Sequence, residues 1–220
     1  MFPYVSDHEL LKFAVKECGE KLVDIRGLHP DLIYKRHKPP KIKNWVVSKY
    51  GYLVRESVAK KLVRIVKDLP GDFQLIVNDG YRPVEVQRKM FHRMIRHFGE
   101  KKKYSHLSKE ELKIKVLNYV ADPDSYTYHS TGGVVDVHPA IDGKEISMGK
   151  ALHTFDNRVS KKARKNRTIL IRAMQKEGFV NYPLEWWHWC YGESLWAYVN
   201  KKKYAIYGKI QLKDLKRFIK

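Results

Sequence analysis

The chain is predicted to fold as a single α+β domain, a central and mostly antiparallel sheet flanked by helices. Three observations lead there. Apolar residues recur at helical spacing in some stretches and as short β-branched runs in others. These stretches alternate without a regular βαβ rhythm. No internal repeat, low-complexity tract or Gly/Ser-rich linker divides residues 1–220, although a basic C-terminal tail begins near residue 200. With 43% apolar composition, five Trp, eight Phe and fourteen Tyr, a chain of this length buries a substantial core, which excludes disorder by composition.

The elements follow in order. Val58, Leu62, Ile65, Val66 and Leu69 form an amphipathic helical stripe that Pro70-Gly71 ends. Phe73 to Val77 is a short apolar, β-branched strand before Asp79-Gly80, and Pro83 sits where a first helical turn accepts it. The next helix carries Val86, Met90, Phe91, Met94, Ile95 and Phe98 on one broad face. Ser108 with Glu111 is a capping box that leads into Leu112, Val116, Leu117 and Val120, a helix expected to end near Ala121. Val134 to Val137 reads as a buried strand, and about Ala163 to Glu177 as a basic helix closed by Gly178. A Trp-rich segment runs from Leu184 to Tyr191.

The formal net charge of +20, from 44 Lys and Arg against 24 Asp and Glu, suggests phosphate neutralisation as a first hypothesis. The excess is concentrated in two places. Residues 157–176 hold eight Arg or Lys and no carboxylate, and residues 201–220 hold eight against Asp214 alone. Neither stretch has a helix-turn-helix signature, a zinc-finger spacing or an aromatic RNA-binding motif, so solvated basic faces are expected and a specific nucleic-acid partner is not. No apolar run approaches the roughly 18 to 20 residues of a membrane span. Asp7 and Glu9 stand where a signal peptide would be apolar, and Cys18 and Cys190 are too few for a disulfide framework. A cytoplasmic protein is expected.

Metal-ligand residue types concentrate in two segments, Thr127-Tyr128-His129-Ser130-Thr131-Gly132-Gly133-Val134-Val135-Asp136 and Glu185-Trp186-Trp187-His188. A hydrolytic zinc takes three His or carboxylate ligands and leaves a position to water. His129, Asp136 and His188 would supply that set at the sheet, with Glu185 left as a base. Gly132-Gly133 permit a sharp turn after His129 that lets a strand return Asp136 toward the imidazole, and Glu185, three residues before His188, has to sit in an irregular entry to its strand. An ionised Asp136 between valines needs a partner, either an Arg or a metal. His8, His29, His37, His92, His97, His106 and His138 read as ordinary surface or hydrogen-bonded histidines, and the tryptophans mostly as core.

The pattern His129-x-x-Gly132-x-x-x-Asp136, followed by Glu185-Trp186-Trp187-His188, resembles the zinc-dependent D-alanyl-D-alanine dipeptidases, the group that includes the cytoplasmic dipeptidases of vancomycin resistance. Further likeness lies in Asp79-Gly80-Tyr81-Arg82-Pro83, in Met148-Gly149 with Phe155-Asp156, and in Asn166-Arg167 through Gly178-Phe179, with a looser likeness around Leu22-Val23-Asp24-Ile25-Arg26. The resemblance implies one zinc per chain on His129, Asp136 and His188, with Glu185 as general base and then acid. It also implies transition-state stabilisation by Arg82, whose other reading is a structural Arg paired with a carboxylate. The substrate implied is a small dipeptide, D-alanyl-D-alanine or a relative.

The sequence departs from the family at Thr127, usually Ser, and at Val134, usually Ala. A larger departure is His153, which stands where the vancomycin-resistance members carry an aspartate for the dipeptide's ammonium. Either Asp156 takes over or the substrate differs at its amino end. The competing readings are a carboxypeptidase or L,D-peptidase acting on longer peptidoglycan peptides and, from another class, a basic nucleic-acid-binding module whose binding would be steeply salt-dependent.

Overall fold

In chain order the elements are α1 (Asp7–Lys12), β1 (Leu22–Asp24), β2 (Leu32–Tyr34), β3 (Leu53–Arg55), α2 (Glu56–Asp68), β4 (Phe73–Asp79), α3 (Val84–Gly99), α4 (Lys109–Leu117), β5 (Val134–Ile141), β6 (Lys144–Glu145), α5 (Lys161–Lys176), β7 (Val180–Asn181), β8 (His188–Cys190), α6 (Ser194–Val199) and α7 (Leu215–Phe218). This computed structural model describes residues 5–36, 45–149, 159–183 and 185–220. The main sheet runs β2-β4-β5-β8-β7, with β6 on the far end of β5. Every pairing in it is antiparallel except β2 with β4, and β1 with β3 forms a separate antiparallel pair.

β5 is the central strand. It is buried from Val134 to Ala140, the pattern of a strand covered on both faces. Leu75 and Val77 of β4 and Val135 and Val137 of β5 pack with Val58, Leu62, Ile65 and Val66 of α2 and with Leu170 and Met174 of α5 in the largest apolar cluster. Because side chains alternate along a strand, Asp136 faces the other way. α3 and α4 share their own apolar cluster, where Met90, Phe91, Met94 and Phe98 meet Leu112, Val116 and Val120.

The expected strands exist and are longer than expected: β4 continues through Asn78 to Asp79, and β5 reaches Ile141. The register between them shifts between Val77 and Asp79, which places Asp79 opposite Asp136; an irregularity of this kind re-aims a side chain at the end of a ladder. α4 stops at Leu117 and not near Ala121. The Tyr119 and Val120 amides both turn back to the Val116 carbonyl, while the Ala121 carbonyl receives the Gln87 side chain. Its capping box is present, with the Glu111 amide donating to Ser108 Oγ at 3.3 Å.

The basic stretch 201–220 is stitched into the molecule. Ala205, Tyr207, Ile210 and Leu215 are buried, Tyr81 Oη donates to the Ile210 carbonyl, and single bridges join Ala205 to Val15 and Ile219 to Leu22. Its lysines remain exposed.

Candidate active site

The central strand places the site. Asp136 lies directly opposite His188 in the β5–β8 register, so two of the candidate ligands are cross-strand neighbours. His129 precedes β5 in a short 3-10 turn, Tyr128–Thr131, that Gly132 closes with φ +72°. The turn is held by Ser130 Oγ donating to the Thr127 carbonyl at 2.6 Å. Gly133 follows, where a Cβ would stand 2.3 Å from the Tyr191 carbonyl oxygen; that contact excludes any side chain.

The donor atoms converge. His129 Nε2 lies 3.3 Å from Asp136 Oδ2, and His188 Nδ1 lies 3.1 Å from Asp136 Oδ1. One ligand atom from each of the three residues falls within 4.8 Å of the others. Donors about 2.0–2.1 Å from a tetrahedral metal stand roughly 3.3 Å apart, and the two spacings lie near that value, each to a different oxygen of Asp136. The tautomer suits a metal as well: His129 Nδ1 lies 2.8 Å from the Gly80 carbonyl, so it carries the proton and Nε2 keeps a lone pair. The His188 ring is held by packing, edge-on to Tyr128 and Tyr182 with centroids at 5.3 and 5.6 Å, and its Nε2 has no hydrogen-bond partner among the described residues.

Electrostatics keep the set anionic at its centre. Burial alone would raise the Asp136 carboxyl, but the imidazoles of His129 and His188 hold it well below the usual carboxylate range. Glu185 behaves oppositely: burial lifts it above the usual range, and the His188 imidazole only partly opposes this. Its Oε2 is 3.6 Å from His188 Nδ1. As expected, Glu185 sits outside β8, in an irregular turn whose carbonyl accepts from Asn181 Nδ2 at 2.9 Å, while the same amide also donates to the His188 carbonyl.

Arg82 is paired with carboxylates at the edge of the converging set. Nε donates to Asp79 Oδ2 at 2.8 Å, Nη1 to Gln87 Oε1 at 2.6 Å, and Nη2 stands 3.7 Å from Asp136 Oδ2. Burial works against its charge, but Asp79 and Asp136 raise its pKa, so it stays a fixed cation. Gln87 and Asn181 support the site without having been singled out by sequence, and Asp79 was named there only within the segment around Arg82. A signal existed for Gln87, a buried amide between Val86 and Met90 on the apolar side of α3. His138 falls outside the converging set; it stacks against Trp186 at 5.0 Å. Cys190 is buried in the cluster around Val134, as expected of packing. His153, Asp156 and Leu184 lie outside the described residues.

Asp79, Arg82, Gln87 and Glu185 line a cleft of about 760 Å³ that reaches from His129, Asp136 and His188 to Trp45, Met90 and Val120 beside the α3–α4 cluster. Two imidazoles and an anionic carboxylate around one point, with a half-buried carboxyl of raised pKa beside them, define a metal-dependent hydrolase. The comparisons agree with that class. Residues 43–207 match the peptidase M15 family, described as D-ala-D-ala dipeptidase. A D-alanyl-D-alanine dipeptidase of Synechocystis sp. is 26% identical over an alignment of 238 positions, covering 91% of this chain and 96% of the relative. Another from Enterococcus faecalis is 30% identical over 129 positions, 53% of this chain and 61% of that protein. Among solved structures, VanYB in complex with D-Alanine-D-Alanine is similar over 77% of this chain and 92% of its own, at 18% identity and a TM-score of 0.46. The chain belongs to the peptidase M15 family and is a metallopeptidase.

Proposed function

We propose that the chain is a zinc-dependent dipeptidase that hydrolyses D-alanyl-D-alanine or a related D-amino-acid dipeptide in the cytoplasm, with one zinc on His129, Asp136 and His188. The observation that carries this is the convergence of one donor atom from each of those three residues within 4.8 Å, beside Glu185. When bound, zinc polarises the scissile carbonyl and lowers the pKa of water toward about 7. Glu185, whose pKa burial raises, takes the proton of the attacking water and delivers it to the departing amine as the C–N bond breaks. Arg82, fixed by Asp79 and Gln87, presents a permanent charge to the developing oxyanion. Asp136 remains ionised because two imidazoles face it.

The cytoplasmic placement is supported by two cysteines that are both free, one exposed and one buried. The test pairs metal analysis with an assay. Glu185→Ala should keep about one zinc per chain and lose hydrolysis of D-Ala-D-Ala; a fully active variant would remove Glu185 from the mechanism. One observation favours a second reading, a carboxypeptidase on longer peptides: the cleft is roomy for two alanines and continues to apolar walls at Trp45 and Met90. Faster cleavage of a tetra- or pentapeptide than of the free dipeptide would select it.

A further inference from the structure

A free dipeptide carries an ammonium two bonds from its scissile carbonyl, and none of the groups assigned above is available to receive it. Among the described residues, the carboxylates that line the cleft are those of Asp7, Asp79, Asp122, Asp136 and Glu185. Asp79 is bonded to Arg82, Asp136 lies between the imidazoles, and Glu185 faces His188. Asp122 is turned to its own loop, accepting from the Asp124 amide at 2.9 Å and pairing with Lys113 at 3.6 Å.

Asp7 is different. It opens α1, outside the residues matched to the family, and is half-buried at the cleft. Two uncharged hydroxyls aim it: Ser125 Oγ donates to Oδ2 at 2.6 Å and Tyr128 Oη to Oδ1 at 3.1 Å. The Tyr128 ring stands edge-on to His188, centroids 5.3 Å apart, which puts the Asp7 carboxylate one aromatic ring from a candidate ligand. Lys209 Nζ is directed to the Ser125 carbonyl at 3.5 Å and over the Tyr126 ring.

We infer that Asp7 is the specificity-determining group that receives the ammonium of the substrate, so that the N-terminal helix supplies the selection for an unblocked amino end. The inference rests on the dipeptidase reading and completes it: with His at position 153, a carboxylate from another part of the chain takes this task. A charge-assisted hydrogen bond of this kind acts mainly on binding.

The test uses the zinc-loaded full chain and compares kcat/KM for D-Ala-D-Ala with kcat/KM for its N-acetyl derivative. Wild type should prefer the free peptide. Asp7→Asn should cut that preference about 10- to 100-fold, through KM, and Asp122→Asn should keep it. Calorimetric titration of both peptides into a Glu185→Ala background should give the same loss without turnover. An unchanged preference in Asp7→Asn, an equal fall for both peptides, or a loss that appears in Asp156→Asn instead would overturn the assignment of Asp7 and leave the dipeptidase reading intact. A wild type that cleaves neither peptide would overturn that reading and the assignment with it.

Discussion

Arg82 and Gln87 illustrate how much of this site depends on a single contact. The guanidinium is half-buried, and three of its nitrogens are directed by Asp79, Gln87 and Asp136. Gln87 in turn donates to the Ala121 carbonyl at 2.7 Å, just beyond the end of α4. Replacing Gln87 by Met keeps the volume and removes the acceptor of a half-buried guanidinium nitrogen and the donor to the exposed Ala121 carbonyl, at a cost of about 0.5–1.5 kcal/mol per hydrogen bond lost. Gln87→Met should therefore lower Tm and reduce kcat by roughly 10- to 100-fold by misaiming Arg82, with zinc content unchanged; a kcat equal to wild type would show that Arg82 does not depend on this contact. At this scale the chemistry was legible in sequence where residue types declare it: His129, Asp136, Glu185 and His188 stand beside glycines and strand formers. Gln87 and Asp7 were not legible, because an amide or carboxylate acquires its role only when an element distant in sequence is packed beside it.

Between elements, the decisive event is the pairing of β5 with β8. It places Asp136 opposite His188, and a slip of one residue would turn one of them away from the other. Gly133 guards that register. Its carbonyl accepts from the Tyr191 amide at 2.9 Å, while a Cβ would meet the Tyr191 carbonyl oxygen at 2.3 Å and Tyr207 Cδ2 at 2.7 Å. Gly133→Ala should cost about 1–3 kcal/mol or more and weaken zinc binding as well, read by thermal melting and metal titration. The α4 capping box gives the contrast. Ser108→Ala should cost about 0.5–2 kcal/mol and leave zinc affinity untouched, since α4 supplies none of the three donors. A change in zinc affinity there would mean that α4 is coupled to the metal set. Local signals predicted these elements well: the stripe of α2, the box of α4 and the apolar run of β4 are written in adjacent residues. The β1–β3 pair, the parallel seating of β2 on β4 and the early stop of α4 were not, since each depends on contacts made across the chain.

For the molecule as a whole, the charge of +20 proves a poor guide to function and a fair guide to surface. The lysines of residues 201–220 face solvent while Ala205, Tyr207, Ile210 and Leu215 of the same stretch anchor it. In α5, by contrast, Arg167 is drawn inward to donate to the Met148 carbonyl at 2.7 Å. The core is apolar and continuous around β4, β5, α2 and α5, and on the other side of β5 three polar side chains from a turn and two strands converge on one point. An ion there would tie His129 to β5 and β8 at the middle of the sheet, so its binding energy becomes folding energy. At a free metal concentration about 1,000 times the dissociation constant, that linkage is worth about 4 kcal/mol, which for a chain of this size shifts Tm by roughly 8–16 °C. Melting in zinc and again after exhaustive chelation should reveal a shift of that order, restored by adding zinc back. His188→Ala should melt at one temperature whether or not the chelator is present, because only one imidazole and one carboxylate then remain. A wild-type chain indifferent to chelation would rule out a resident metal, and a His188→Ala chain that still responds would move the metal to other ligands.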